Sequence, residues 1–235
     1  MALIKYGGLA TQISGSIGGC TFAKNRFGNY VRSRTKPVNP KSTRQEKIRT
    51  IVSYLTNRWH DDLDATQRGL WNVYAAAVAM KNKLGETIYL TGFNHFVRTN
   101  CVIKTWSTGV FDDAPSILSL PEKDPQLACS EEAIAGQTFT FDCNQQGWAA
   151  NGDPKGRILI YQGQPQLASR FFFRGPWRYM DVIDPVEGAA GAATMDASYP
   201  FALGQKVWFE GRVMTTTGRV SERWMLDPRT IIADV

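Results

Sequence analysis

The chain has 235 residues, with 27 Lys+Arg against 21 Asp+Glu and a formal net charge of +6. A hydrophobic share of 43% with 11% aromatics excludes a disordered chain, and the length suffices for one or two domains with a buried core. No apolar run approaches the roughly 18 residues of a membrane span, and residues 1–10 lack the apolar stretch of a signal peptide, so no membrane partner is expected.

The first forty residues alternate short β-type stretches with glycines. Residues 3–6, 12–17, 20–23 and 30–34 read as extended, interrupted by Gly7, Gly8, Gly15, Gly18, Gly19 and Gly28. They are too short and too polar to build a core alone. They read as an extended basic arm, residues 1–40, or a small hairpin, that pairs with something else. Pro37 and Pro40 then enforce an extended connector.

A small helical region, residues 41–110, follows. Ser42 with Gln45, or Thr43 with Glu46, makes a capping box. Ile48, Ile51, Val52, Leu55 and Trp59 lie on one helical stripe. The run His60-Asp61-Asp62-Leu63-Asp64 breaks it, and Asp64 with Gln67 caps a second helix. That helix carries Leu70, Trp71, Val73, Tyr74, Ala77 and Val78 and ends near residues 81–85. Residues 87–90 read as a short strand. Residues 92–107 read as a third helix with Phe93, Phe96, Val97 and Cys101 on one side.

Composition changes near Gly109. Residues 111–125, punctuated by prolines and acids, read as a linker, and residues 126–235 read as β throughout. Strands are expected over residues 137–143, 157–162, 169–174, 177–182, 192–196, 205–215 and 219–226, at the spacing of a sandwich. The last two form a hairpin around Thr216-Thr217-Gly218. The expected fold class is therefore α+β: an N-terminal β arm and helical region, then an antiparallel immunoglobulin- or fibronectin-like β-sandwich.

No catalytic constellation emerges, and neither an enzyme nor a cofactor is expected. The four cysteines form no CxxC pair and the histidines are two, His60 and His95, which argues against zinc. Cys129 and Cys143 stand 14 apart in neighbouring strands, where a disulfide is open to them, with reduced thiols the default. Residues 15–19 are glycine-rich, but no G-K-[ST] follows to cradle a phosphate. His60 and its aspartates read as a polar turn, His95 as a packed helix residue, and Asp142 and Asp153 have no partner of defined spacing.

The strongest local signal is basic. Residues 24–49 hold nine cations and one acid, Glu46, with Phe22, Phe27 and Tyr30 interleaved. Such a surface meets phosphates and bases, docks on an acidic protein by strand addition, or stands solvated. The candidate docking residues are Arg26, Tyr30, Arg32, Arg34 and Lys36; Arg32 and Arg34 share a strand face. A helix-turn-helix reader fits less well, because the second helix offers only Arg68 and Lys81. Trp148, Trp177 and Trp208 allow a carbohydrate-binding sandwich as a further alternative. Charge is also split along the chain. Residues 1–110 hold 16 Lys+Arg against 5 Asp+Glu, and residues 111–235 hold 11 against 16, so one half complements the other in a neighbouring copy.

Residues 13–34, ISGSIGGCTFAKNRFGNYVRSR, resemble the opening of small proteins of tailed phages and prophages, with their G-x-x-G-G-x-x-F-x-x-N-(K/R)-x-G-x-Y-(V/I)-R pattern. Residues 36–45, KPVNPKSTRQ, are similar to the N-P-x-T-x-x-Q segment that follows it there, with the threonine shifted by one place. Residues 63–71 and 91–100 resemble that family's L-T-x-x-Q-R-x-x-W and S-G-(F/Y)-x-x-F-x-x-x-N. The resemblance spans about residues 13–100; the sandwich half resembles the family by pattern only. It implies a structural component of the virion, in head, neck or tail. Its partners would be other virion proteins and copies of itself in a homo-oligomer, with nucleic acid as an alternative partner. It supplies no activity and no site residues.

Overall fold

The computed structural model describes residues 2–5, 7, 12–35, 38–82, 84–143, 156–184 and 191–232. The N-terminal stretches form strands β1 (Ala2–Ile4), β2 (Gly15–Ile17), β3 (Cys20–Asn25) and β4 (Gly28–Ser33), all antiparallel in the order β1-β4-β3-β2. The arm is thus a sheet in its own right. Gly18, Gly19 and Gly28 take φ of +55°, +80° and +121°, the left-handed values its tight turns require.

Helix α1 (Thr43–Asn57) starts at Ser42, whose hydroxyl accepts from the Gln45 amide; the reciprocal bond of a capping box is not formed. A wide turn, Arg58–Asp62, leads to α2 (Ala65–Ala77), where Asp64 and Gln67 do form the reciprocal box. α2 ends four residues sooner than its composition suggests. Ala79–Lys81 (β5) instead pairs with Thr87–Tyr89 (β6), and Asn82 Oδ1 accepts the amides of Leu84 and Glu86 in their turn. α3 (Gly92–Trp106) follows. The core of this region gathers Leu55, Trp59, Leu63, Trp71, Tyr74, Val78 and Phe96. The expected apolar stripes are only partly buried: Ile48, Val52, Leu70 and Val73 stay exposed because neither α1 nor α2 is covered on that side.

Residues 111–125 contain no helix or strand but are held firmly. Asp112 accepts from Arg58 Nε and Nη2 at 2.7 and 2.6 Å, and its carbonyl accepts from Trp71 Nε1. Asn100 bridges both the amide and the carbonyl of Phe111.

The C-terminal half contributes β7 (Ala128–Ala133), β8 (Thr138–Asp142), β9 (Arg157–Gly163), β10 (Gln166–Leu167), β11 (Trp177–Ile183), β12 (Ala192–Asp196), β13 (Gln205–Val207), β14 (Phe209–Met214), β15 (Trp224–Met225) and β16 (Arg229–Thr230). They form three antiparallel sheets, β12-β8-β7, β11-β9-β14-β15 and β10-β13-β16. Phe139 and Phe141 from the first meet Ile158, Ile160, Phe209 and Val213 from the second, with Val207 from the third and Ile231, just after β16, closing the core. The architecture is α+β.

Three expected strands are corrected. Residues 205–215 break at Trp208, whose carbonyl accepts from Gly163, so β13 and β14 belong to different sheets. Residues 219–226 pair with β14 only at Val220 and over β15, because the carbonyls of Val220 and Ser221 are taken by the Arg98 guanidinium at 2.6 and 2.7 Å. Residues 169–174 form no strand. A turn at Leu167–Arg170 precedes them, Phe173 folds inward between Trp177 and Trp208, and Phe171 and Phe172 point outward, 91% and 66% exposed. Cys129 and Cys143 form no disulfide with each other.

α3 lies on the outer side of β9. Val102 and Ile103 pack against Leu159, Tyr161, Met214 and Val220. Alternate residues of β9 therefore serve two cores. No helix among the described residues is long and apolar enough to cross a membrane.

Candidate docking interface

The N-terminal sheet owes its faces to strict alternation. Register pairs Phe22 with Val31, Cys20 with Ile17 and Ile4 with Asn29, which places Ile4, Ile17, Cys20, Phe22 and Val31 on one face. The opposite face carries Leu3, Ser16, Thr21, Ala23, Tyr30 and Arg32, with the Ser16 and Thr21 hydroxyls bonded at 2.9 Å. The first face is mainly apolar but also carries Lys24, Asn29 and Ser33, and the second is mixed, with Arg32 as its cation within the strands.

Not one described residue from Leu3 to Thr35 is buried. Four strands with a mainly apolar face ordinarily bury it, at ~25 cal/mol per Å² of apolar surface removed from water. Here Ile17 remains 74% exposed, Ile4, Cys20, Phe22 and Val31 are half-buried, and among the described residues no core lies behind the face.

The expected docking residues divide between two places. Tyr30 and Arg32 share the basic face, and Arg34 extends it while its amide donates to Gly19 at 2.6 Å. Arg26 sits apart, in the β3–β4 turn, beside a cleft of about 340 Å³ formed with Asn72, Ala75, Tyr89 and Gly92. Lys36 lies outside the described residues. Lys5 reaches Glu86 in the β5–β6 turn at 2.7 Å and holds that carboxyl below its ordinary range. These contacts lay the sheet against the helical region by one end.

The apolar face escapes notice when attention goes to cations. Its signal is present in the sequence: Cys20-x-Phe22 and Val31 alternate with polar neighbours, but only the register shows that they meet.

Other candidates fall into structural roles. Asp64 caps α2 and Asp62 pairs with Arg58. His95 is fully buried, edge-on to Tyr74 at 5.1 Å. Asp142 accepts from Ser130, and Asp153 lies outside the described residues. Burial pushes the Cys129 thiol up to about 12, which leaves it unreactive near neutral pH. Of the tryptophans considered for sugar binding, Trp208 is 2% exposed and stacked on Phe173, Trp177 is half-buried against the same ring, and Trp148 lies outside the described residues.

No protein-family model matches the chain, and no curated protein matches it. Among solved structures it is similar to the twitchin kinase region of C. elegans (Fn31-NL-kin-CRD-Ig26), at 12% identity and a TM-score of 0.34. The match covers 49% of this chain and 17% of that one, and likeness at that level carries no argument about fold or function.

Proposed function

We propose that the protein is a non-enzymatic structural component of a tailed-phage virion that docks onto neighbouring subunits through its N-terminal sheet. The observation that carries the docking is a four-stranded sheet with an apolar face and no core of its own. Such a sheet gains its stability from what covers it. The basic opposite face, with Tyr30, Arg32 and Arg34, sets orientation against an acidic neighbour. The virion context rests on the sequence motifs of residues 13–100. Repetition around a ring or shell lets individually weak contacts hold.

The C-terminal half fits an immunoglobulin- or fibronectin-like module in this scheme. In chain order β7, β8 and β12 make one sheet and β9, β11, β14 and β15 the other, the division that such sandwiches use.

The test removes residues 1–40. None of the three cores includes a residue before Ile51, so the remainder retains its packing. Incorporation into virions of the encoding phage is expected to fall to background, and normal incorporation would overturn the reading. A second reading, nucleic-acid binding, draws on Tyr30, Arg32 and Arg34 sharing one exposed face. It requires binding that weakens steeply with salt. Anisotropy titrations at two ionic strengths decide it, and weak, salt-independent binding dismisses it.

A further inference from the structure

A cavity of about 640 Å³ lies between α1, α3 and the outer side of the β11-β9-β14 sheet. That volume is within the ~300–1,000 Å³ typical of small-molecule sites. Six of its lining side chains are cations: Arg44, Lys47, Arg98, Arg178, Arg212 and Arg223. Among the described residues no carboxylate lines it.

The partners of these cations are mostly neutral. Arg98 donates to the Val220 and Ser221 carbonyls, Arg212 to the Ser221 carbonyl at 3.0 Å, Arg44 to the Trp177 carbonyl at 3.3 Å and Arg178 to the Ser198 carbonyl at 2.8 Å. Among the described residues only Arg223 of these six reaches a carboxylate, Glu210 at 3.4 Å. Glu222 lies near Arg98 and Asp181 near Tyr179, both outside the lining. Among the described residues, six cations thus stand against three nearby acids.

Like charges are not gathered in a half-buried space without cost. Arg212 is 7% exposed, and burial, then the Arg98 charge, pull its guanidinium down to about 9. Arg98 is also lowered by burial. A bound anion supplies the missing counter-charge, and guanidinium forks match phosphate oxygens.

The rest of the wall is apolar and aromatic. Ile48, Ile51 and Val102 line one side, and Tyr161 and Tyr179, edge-to-face at 5.9 Å, line another. Ile48 is 45% exposed along this rim, an apolar side chain that a ligand would cover.

We propose that this cavity binds a nucleotide-type ligand, its phosphates among the arginines and its planar ring against the Ile48–Ile51 side. The site is separate from the N-terminal sheet and does not depend on the docking role.

Calorimetry on the full chain tests it with three probes: ADP, adenosine and pyrophosphate. ADP is expected to bind saturably with one site per chain. Adenosine and pyrophosphate, each lacking half of the recognised chemistry, are expected to bind about tenfold weaker or worse. Lys47→Glu, on an exposed turn of α1 outside every core, is expected to weaken ADP about tenfold or more while the melting temperature of the free protein stays unchanged. Arg178→Ala is expected to act in the same direction. No saturable ADP binding would overturn the proposal. So would ADP affinity unchanged in both variants, pyrophosphate or adenosine binding as tightly as ADP, or binding lost when residues 1–40 are removed.

Discussion

Neither ring nitrogen of His95 meets a hydrogen-bond partner, and the side chain is wholly buried against Tyr74. Burial, helped by the Arg98 charge, lowers its pKa from 6.5 to about 4. Folded, the imidazole stays neutral down to that value; unfolded, it takes its proton near 6.5. Between the two, only the unfolded chain gains a proton, so this contribution is complete above 6.5 and shrinks as pH falls towards 4. Between about pH 8 and about pH 5 the loss amounts to about 2 kcal/mol. Glu210, raised by burial, works in the opposite sense, so the comparison that isolates His95 is with a variant. Denaturant unfolding of His95→Phe is expected to show a stability loss between those two pH values smaller by about 2 kcal/mol than the parent chain shows. Equal slopes would remove His95 from the account.

At the scale of elements, α2 and α3 meet where a side chain has no room. A Cβ on Gly92 would stand 2.8 Å from the Asn72 amide nitrogen and 2.9 Å from the Trp71 carbonyl carbon. These are backbone atoms of a packed helix and cannot step aside. Gly69, inside α2, faces open solvent, with nothing within 4 Å of its Cβ position. One substitution therefore has opposite signs at two sites. Gly92→Ala is expected to cost about 2 kcal/mol by overpacking. Gly69→Ala is expected to add about 0.5–1 kcal/mol through helix propensity. Paired unfolding curves measure both. The same scale shows what local signals carry. The Asp64 box and the start of α3 at Gly92 are local patterns, and they fold as read. The end of the ladder at residues 219–226 is not local: it depends on Arg98, more than 120 residues away, claiming two strand carbonyls. The sequence reading puts Cys129 in a strand but misses the extent of β7, because Glu131 and Glu132 interrupt its apolar pattern at a register shift.

At the scale of the whole molecule, β9 joins what its flanking sequence separates. Ile158 and Ile160 serve the core between the sheets, and Leu159 and Tyr161 serve the one under α3. A strand buried on both sides reads as a continuous apolar run, and residues 158–161, Ile-Leu-Ile-Tyr, are that run. The basic character of the N-terminal region was equally legible, being written in consecutive residues. The six-cation cavity was not, because its members come from positions 44 to 223 and only the fold assembles them.

The two kinds of sheet should differ in how they open. Amides of β9 and β14 sit between two cores, so their exchange with solvent requires global unfolding. Amides of β3 and β4 have no buried side chain above or below them, so local opening exposes them at little cost. Hydrogen-exchange mass spectrometry of the isolated chain is expected to show β3 and β4 exchanging several orders of magnitude faster than β9. On incorporation into an assembly, β3 and β4 are expected to become protected while β9 stays as it was. Protection of β3 and β4 equal to that of β9 in the isolated chain would mean that the sheet is stable without a partner. Docking through a sheet that needs cover would then be ruled out.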